Sequence, residues 1–124
     1  MEHIPRTIKS ESYFFVCEEL KYLATNRKVI SELGEPVIIE KGQSWILAYR
    51  NEVLIGFMCF QGNKILYAYV VELMRGQGVF SLMYSELPDR KWETVASNMS
   101  YPIFLKKGFE VVKNYKTCHK LIKK

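Results

Sequence analysis

Two glycines one residue apart, Gly76 and Gly78, stand where a strand-type run meets a helical one. The run before them is Ile65-Leu66-Tyr67-Ala68-Tyr69-Val70-Val71, and the apolar spacing after them falls at Phe80, Met83, Tyr84 and Leu87. A strand, a glycine loop and a helix start together make a device for holding phosphate. The glycines let the backbone turn tightly and approach a ligand closely. The first N–H groups of the helix have no partner within it and carry the positive end of its dipole, so an anion settles there.

The elements that must position this loop are legible on both sides. Residues 2–9 read as a short first strand. Residues 11–24 read as a helix with Phe14, Cys17, Leu20 and Leu23 or Lys21 near one face, capped by Ser10 or Ser12. Arg27 to Leu33 reads as a second helix closed by Gly34, and Val37-Ile38-Ile39 as a strand-like piece. Ser44–Tyr49, Val53–Phe60 and Lys64–Val71 form a meander. The unbroken apolar run of its middle strand suits a sheet covered on both faces. Alternation on the third strand puts Lys64, Leu66, Ala68 and Val70 on one face and Ile65, Tyr67 and Tyr69 on the other. After the glycine loop, a helix from about Phe80 to Leu87 stops at Pro88. A strand follows at Trp92–Ala96. A helix capped by Asn98 or Ser100 then runs to about Lys107 with Pro102 in its first turn, and Gly108 closes it. Phe109–Val112 and Tyr115–Ile122 read as a final hairpin turning near Lys113-Asn114.

The loop also has a family look. Val70-Val71-Glu72-Leu73-Met74-Arg75-Gly76-Gln77-Gly78-Val79-Phe80 resembles the acetyl-CoA loop of the GNAT N-acetyltransferases, whose core pattern is Arg/Gln-x-x-Gly-x-Gly/Ala. Phe80 stands where that pattern has a small residue. A side chain of that size either crowds the pyrophosphate or packs beneath the helix. A second stretch, Asn98 through Phe104-Leu105-Lys106-Lys107-Gly108-Phe109, resembles the family's Asn…Tyr-x-Lys-x-Gly-Phe segment, with Phe104 in place of the tyrosine. The resemblance covers roughly residues 44–122. The order β-α-α-β-β-β-α-β-α-β-β is also similar to the family's.

The resemblance implies a single α/β (α+β) domain over residues 1–124. Its centre would be a mixed β-sheet of six to seven strands with helices on both faces. It implies an acetyl-CoA-dependent transfer of the acetyl group to a primary amine, by direct attack in a ternary complex. Cofactor contacts are then expected at Val70, Val71, Arg75, Gly76, Gln77, Gly78, Val79, Phe80, Asn98, Phe104 and Lys107. A backbone N–H near Val70 or Val71 would face the thioester carbonyl, because in the family this strand splays from its neighbour. Phe104 cannot donate a proton as the family's tyrosine does; Tyr101, one helical turn earlier, is the alternative acid. No carboxylate lies on the third strand of the meander, so Glu72, just past it, is the nearest candidate base. Tyr67 and Tyr69 are either packing residues or would hold a water or shape the acceptor pocket. His3 and His119 are isolated in sequence and carry no catalytic assignment.

Composition bounds the rest. A chain of 124 residues buries roughly two thirds of its unfolded surface. No apolar run approaches about 18 residues, and Met-Glu-His-Ile-Pro-Arg lacks a signal-peptide core, so the expectation is a cytoplasmic protein with no membrane partner. Cys17, Cys59 and Cys118 are scattered, which fits neither a disulfide framework nor metal-ligand spacing. The net charge of +5 is uneven: residues 106–124 hold seven lysines and one glutamate. That basic segment is either a solvated edge that discourages strand aggregation or an attractor for an anionic cofactor or nucleic acid. Two other functions fit these residues: a non-catalytic acyl-CoA-binding module, favoured by Phe80 and Phe104, and a nucleic-acid-associated protein using the C-terminal lysines. The amine acceptor, small molecule or protein, is not readable from the sequence, and neither is the choice between monomer and homodimer.

Overall fold

The computed structural model describes residues 4–98 and 100–124, so His3 and Met99 lie outside the description. The order is β1 (Arg6–Ser10), α1 (Tyr13–Leu20), α2 (Arg27–Leu33), β2 (Ser44–Arg50), β3 (Val53–Gln61) and β4 (Lys64–Val70), then a 3₁₀ turn (Glu72–Met74). There follow α3 (Val79–Tyr84), β5 (Trp92–Ser97), α4 (Tyr101–Lys106), β6 (Glu110–Asn114) and β7 (Cys118–Lys123). The seven strands form one mixed sheet in the order β1-β2-β3-β4-β5-β7-β6. Every neighbouring pair is antiparallel except β4 and β5.

Helices cover both faces. Val16 and Leu20 of α1 and Val29 of α2 pack with Trp45, Phe57 and Cys59 on one face. Val79 and Met83 of α3 and Phe104 of α4 pack with Ile46, Met58 and Ile65 on the other. Residues of β2 and β3 alternate between these two cores, which is why their sequences are apolar throughout. Gly56 of β3 is required by packing. A Cβ there would stand 2.8 Å from the Tyr69 carbonyl oxygen and 3.2 Å from Met83 Cε.

Local signals set the element ends. Ser12 caps α1 by accepting from the Phe15 N–H at 3.3 Å. Asn26 caps α2, accepting from Lys28 and Val29, and Gly34 ends it at φ 80° with its N–H on the Ile30 carbonyl at 2.9 Å. Among the described residues no helix is long and apolar enough to cross a membrane.

Several expectations change. On α1 the buried face is Val16 and Leu20, while Phe14 is 77% exposed. The run Tyr13-Phe14-Phe15-Val16-Cys17 is apolar all round, so periodicity alone could not choose the face. Val37–Ile39 is not a strand. Helix α3 ends at Tyr84, where Glu86 and Leu87 turn back in i to i+3 bonds at 3.0 and 3.1 Å ahead of Pro88. On β4, Phe60 pairs with Ile65 and Cys59 with Tyr67, leaving Leu66 as a bulge. Ile65 therefore shares the α3/α4 face with Ala68 and Val70 rather than that of the tyrosines. In the last hairpin Val112 is an extra residue between the pairs Val111↔Leu121 and Lys113↔Lys120, and the loop spans 115–117 instead of turning at Lys113-Asn114.

Candidate functional site

The parallel strands β4 and β5 pair only at Lys64↔Glu93 and Ile65↔Thr94. The Glu93 N–H on the Asn63 carbonyl and the Thr94 hydroxyl on the Ile65 carbonyl, both at 2.9 Å, close that base. Beyond it the strands part. Val70 stands opposite Gly56, and the Val71 N–H donates to the Ile55 carbonyl at 2.9 Å. A bond displaced by one residue on each strand marks Val70 and Gly56 as a non-hydrogen-bonded pair. The N–H and C=O of Val70 therefore point away from β3, into the gap. The carbonyl accepts from Arg75 Nε at 2.9 Å. Of the two amides expected to face the gap, Val70 does so; that of Val71 is used within the sheet.

The gap opens into a cavity of about 530 Å³, within the range of small-ligand sites. Its walls are β4 from Leu66 to Val70, Thr94, Val95 and Ser97 of β5, Arg75, Gly76 and Gly78 of the loop, Val79 to Ser81 of α3, and Ile103, Phe104, Lys106 and Lys107 around α4. Glu32 and Leu33 of α2, Glu35 just after it, Met74 before the loop and Ser100 before α4 complete it. Since α2 covers one face of the sheet and α3 and α4 the other, residues from both faces line the cavity. Carboxylates lie on its α2 side and lysines on its α3/α4 side.

The glycine loop behaves as its sequence requires. Gly76 and Gly78 have φ of 79° and 81°, and Gly78 is the residue before α3. Among the described residues no neighbour would obstruct a Cβ at either, so it is the left-handed backbone that demands glycine. The turn leaves the first N–H groups of α3 without helical partners beside the cavity. The Phe80 ring packs edge-on against Phe104, centroids 5.4 Å apart, and stacks on Tyr84 at 6.2 Å. Phe104 is itself 2% exposed and edge-on to Phe109. The two departures from the family pattern thus pack against each other. Lys107 Nζ donates to Ser81 Oγ at 2.8 Å, holding a cation beside the first turn of α3.

Other expected residues are drawn elsewhere. The Gln77 side chain accepts from Arg50 at 2.7 Å and donates to the Leu73 carbonyl at 3.3 Å, and it does not line the cavity. Glu72 is exposed in the 3₁₀ turn and ion-paired with Lys28 of α2, also outside the cavity lining. Tyr101 packs on the His119 ring at 4.0 Å. That imidazole is held between the Oδ1 atoms of Asn114 at 2.6 Å and Asn98 at 2.7 Å. Asn98, Tyr101 and His119 therefore form a knot joining β7 to the start of α4, off the cavity wall.

One polar wall residue with no functional assignment in the sequence makes the closest contacts. Glu32 is on α2, its side chain 13% exposed, and takes Arg75 Nη1 at 2.8 Å and the Tyr69 hydroxyl at 2.9 Å. The Arg75 hydrogen bond, aided by that of Tyr69 and opposed by burial, holds the Glu32 carboxyl below its ordinary range. Burial, with Glu32 accepting its proton, pushes Tyr69 up to about 12. Arg75 also lies over the Tyr69 ring, 5.4 Å from its centroid. The only sequence signal for Glu32 was its place four residues after Lys28 on a helix.

This mixed seven-stranded sheet, opened between two parallel strands and followed there by a glycine loop, is the GNAT N-acetyltransferase fold. The chain is similar to an acetyltransferase from Thermus thermophilus, with a TM-score of 0.75 over 99% of each chain at 11% identity. It is similar to Escherichia coli ElaA at a TM-score of 0.70, covering 98% of this chain and 100% of that one at 14% identity. The PaiA N-acetyltransferase of Thermoplasma acidophilum, solved in complex with coenzyme A, matches at 0.66 over 96% of this chain and 99% of its own, with 13% identity. No family model matches the chain, and no curated protein matches it in sequence. At these identities the likeness is one of fold.

Proposed function

We propose that this protein is an acyl-CoA-dependent N-acyltransferase that moves an acetyl group from acetyl-CoA to a primary amine by direct attack in a ternary complex. The observation that carries the reading is the opening between β4 and β5, with the Val70 N–H turned into it and the glycine loop at its α3 side. Those residues suit the cofactor's chemistry. The backbone of Gly76 to Phe80 would hold the pyrophosphate, and Lys106 and Lys107 lie on the same side for its charge. The parted edge of β4 offers backbone groups to the pantetheine arm. Acetyl-CoA supplies an activated thioester carbonyl. The Val70 N–H would donate to that carbonyl oxygen as it gains charge. The acceptor amine would come from the α2 side of the cavity, opposite the glycine loop, which would set the line of attack. This reading draws on neither Glu72 nor Tyr101.

The test is calorimetric titration with acetyl-CoA, CoA and dephospho-CoA, followed by thiol release in the presence of primary amines. Saturable one-site binding and amine-dependent thiol release are expected. No binding at millimolar acetyl-CoA would end the proposal.

One observation favours a second reading. Phe104 puts a buried ring where the family resemblance implies a proton-donating tyrosine, which suits a module that binds acyl-CoA without turning it over. Binding without thiol release toward any amine would select that reading.

A further inference from the structure

Helix α2 has only seven residues and Val29 is its one buried side chain. A helix that short does not hold itself together, and its apolar anchor is small: Val29, with the half-buried Leu33 beside it. What joins it to the site is charge. Lys28 and Glu32, one turn apart on α2, face Glu72 and Arg75, which lie three apart across the 3₁₀ turn that leads into the glycine loop. The signs are reciprocal: cation to anion at one pair, anion to cation at the other. The two pairs are unequal. Lys28 and Glu72 are 61% and 60% exposed in their side chains, whereas Arg75 and Glu32 are 33% and 13% exposed. Exposed pairs contribute little, so the partly buried pair dominates. Arg75 continues the link inward, because its Nε holds the carbonyl of Val70.

Building on the N-acyltransferase reading, we propose that these four side chains form a clasp that makes Glu32 a positioning residue for both halves of the site. Through Arg75, Glu32 fixes the start of the glycine loop and the last peptide of β4. Through its own helix it fixes the acceptor-side wall. Cofactor affinity then depends on a carboxylate of the helix covering the opposite face of the sheet. Arg75, the first residue of the glycine motif, acts as a strut within the protein.

The clasp is testable without knowing the acceptor. Hydrogen exchange of the ligand-free protein would be followed in residues 27–33 and 71–75, where the Val71, Met74 and Arg75 amides are hydrogen-bonded, with calorimetry against acetyl-CoA alongside. Glu32→Gln keeps the shape and the oxygen facing Tyr69 but removes the charge. It is expected to speed exchange in both segments together and to weaken acetyl-CoA binding about fivefold or more. Lys28→Glu and Glu72→Lys should each loosen the same two segments slightly, and the double swap should restore most of the protection. This exposed pair carries the test should Glu32→Gln fail to fold. Faster exchange confined to α2, or unchanged exchange at 71–75, would overturn the clasp. Joint loosening in a protein that never binds acetyl-CoA would support the clasp while ending the N-acyltransferase reading.

Discussion

The two faces of the sheet meet the central opening in different ways. On the α3/α4 face the wall is a continuation of the core: Phe80, Phe104 and Phe109 interlock edge to face, and Val79 and Met83 are buried beneath them. On the α2 face the wall is polar and held by partners, Glu32 to Arg75 and Tyr69, and Lys28 to Glu72. Packing shapes one side and ion pairs shape the other. Packing is insensitive to salt and pH, whereas a clasp answers to both. The contrast predicts a site with one rigid wall and one adjustable wall.

Substitutions on the packed face should give the largest effects. Phe104→Ala, which empties the centre of the aromatic cluster, is expected to lower unfolding free energy by about 3–5 kcal/mol in urea titration. A cost below about 1 kcal/mol would show that this wall is looser than its packing implies. Gly78→Glu combines a left-handed backbone with a carboxylate at the loop. It should weaken acetyl-CoA by about a hundredfold or more in calorimetry while leaving the fold intact. Gly56→Ala, which drives a Cβ toward the Tyr69 carbonyl and Met83, should cost about 1–3 kcal/mol of stability by the same urea assay.

Effects on the clasped face should be smaller and conditional. Glu32 has a lowered pKa in the folded state, so its contribution is fully present above the ordinary glutamate range. It is lost as pH falls through the lowered value. Hydrogen exchange at residues 71–75, corrected for its intrinsic pH dependence, should thus stay protected at neutral pH and loosen only on acidification. Glu32→Gln should flatten that response. Tyr69→Phe removes one donor to Glu32 and should cost only about 1 kcal/mol in stability.

The same contrast explains what the sequence made legible. The glycine loop, the cap at Ser12, the glycine end of α2 at Gly34 and the meander ending at β4 depend on short-range chemistry, and each is found where its residues point. Phe80 and Phe104 were visible as departures from a pattern. That they pack on each other is a contact between α3 and α4 that no local window contains. Glu32 was silent because its partner Arg75 lies across the fold. The β4 faces were misread at Ile65 because a single extra residue, Leu66, reverses alternation without any glycine or proline to announce it. Glu72 and Tyr101 were chosen for being near the motifs in sequence; ion pairing with Lys28 and stacking on His119 draw them off the wall.

Under the N-acyltransferase reading, a cavity lined from opposite faces of the sheet also has a kinetic meaning, if cofactor and amine enter from opposite sides. Two reactants that arrive through separate doors need not wait for one another, and each product can depart by the way its precursor came. For an enzyme built so, a blocker lodged at the α2 door would not compete with acetyl-CoA, and raising the acetyl-CoA concentration would not relieve the inhibition.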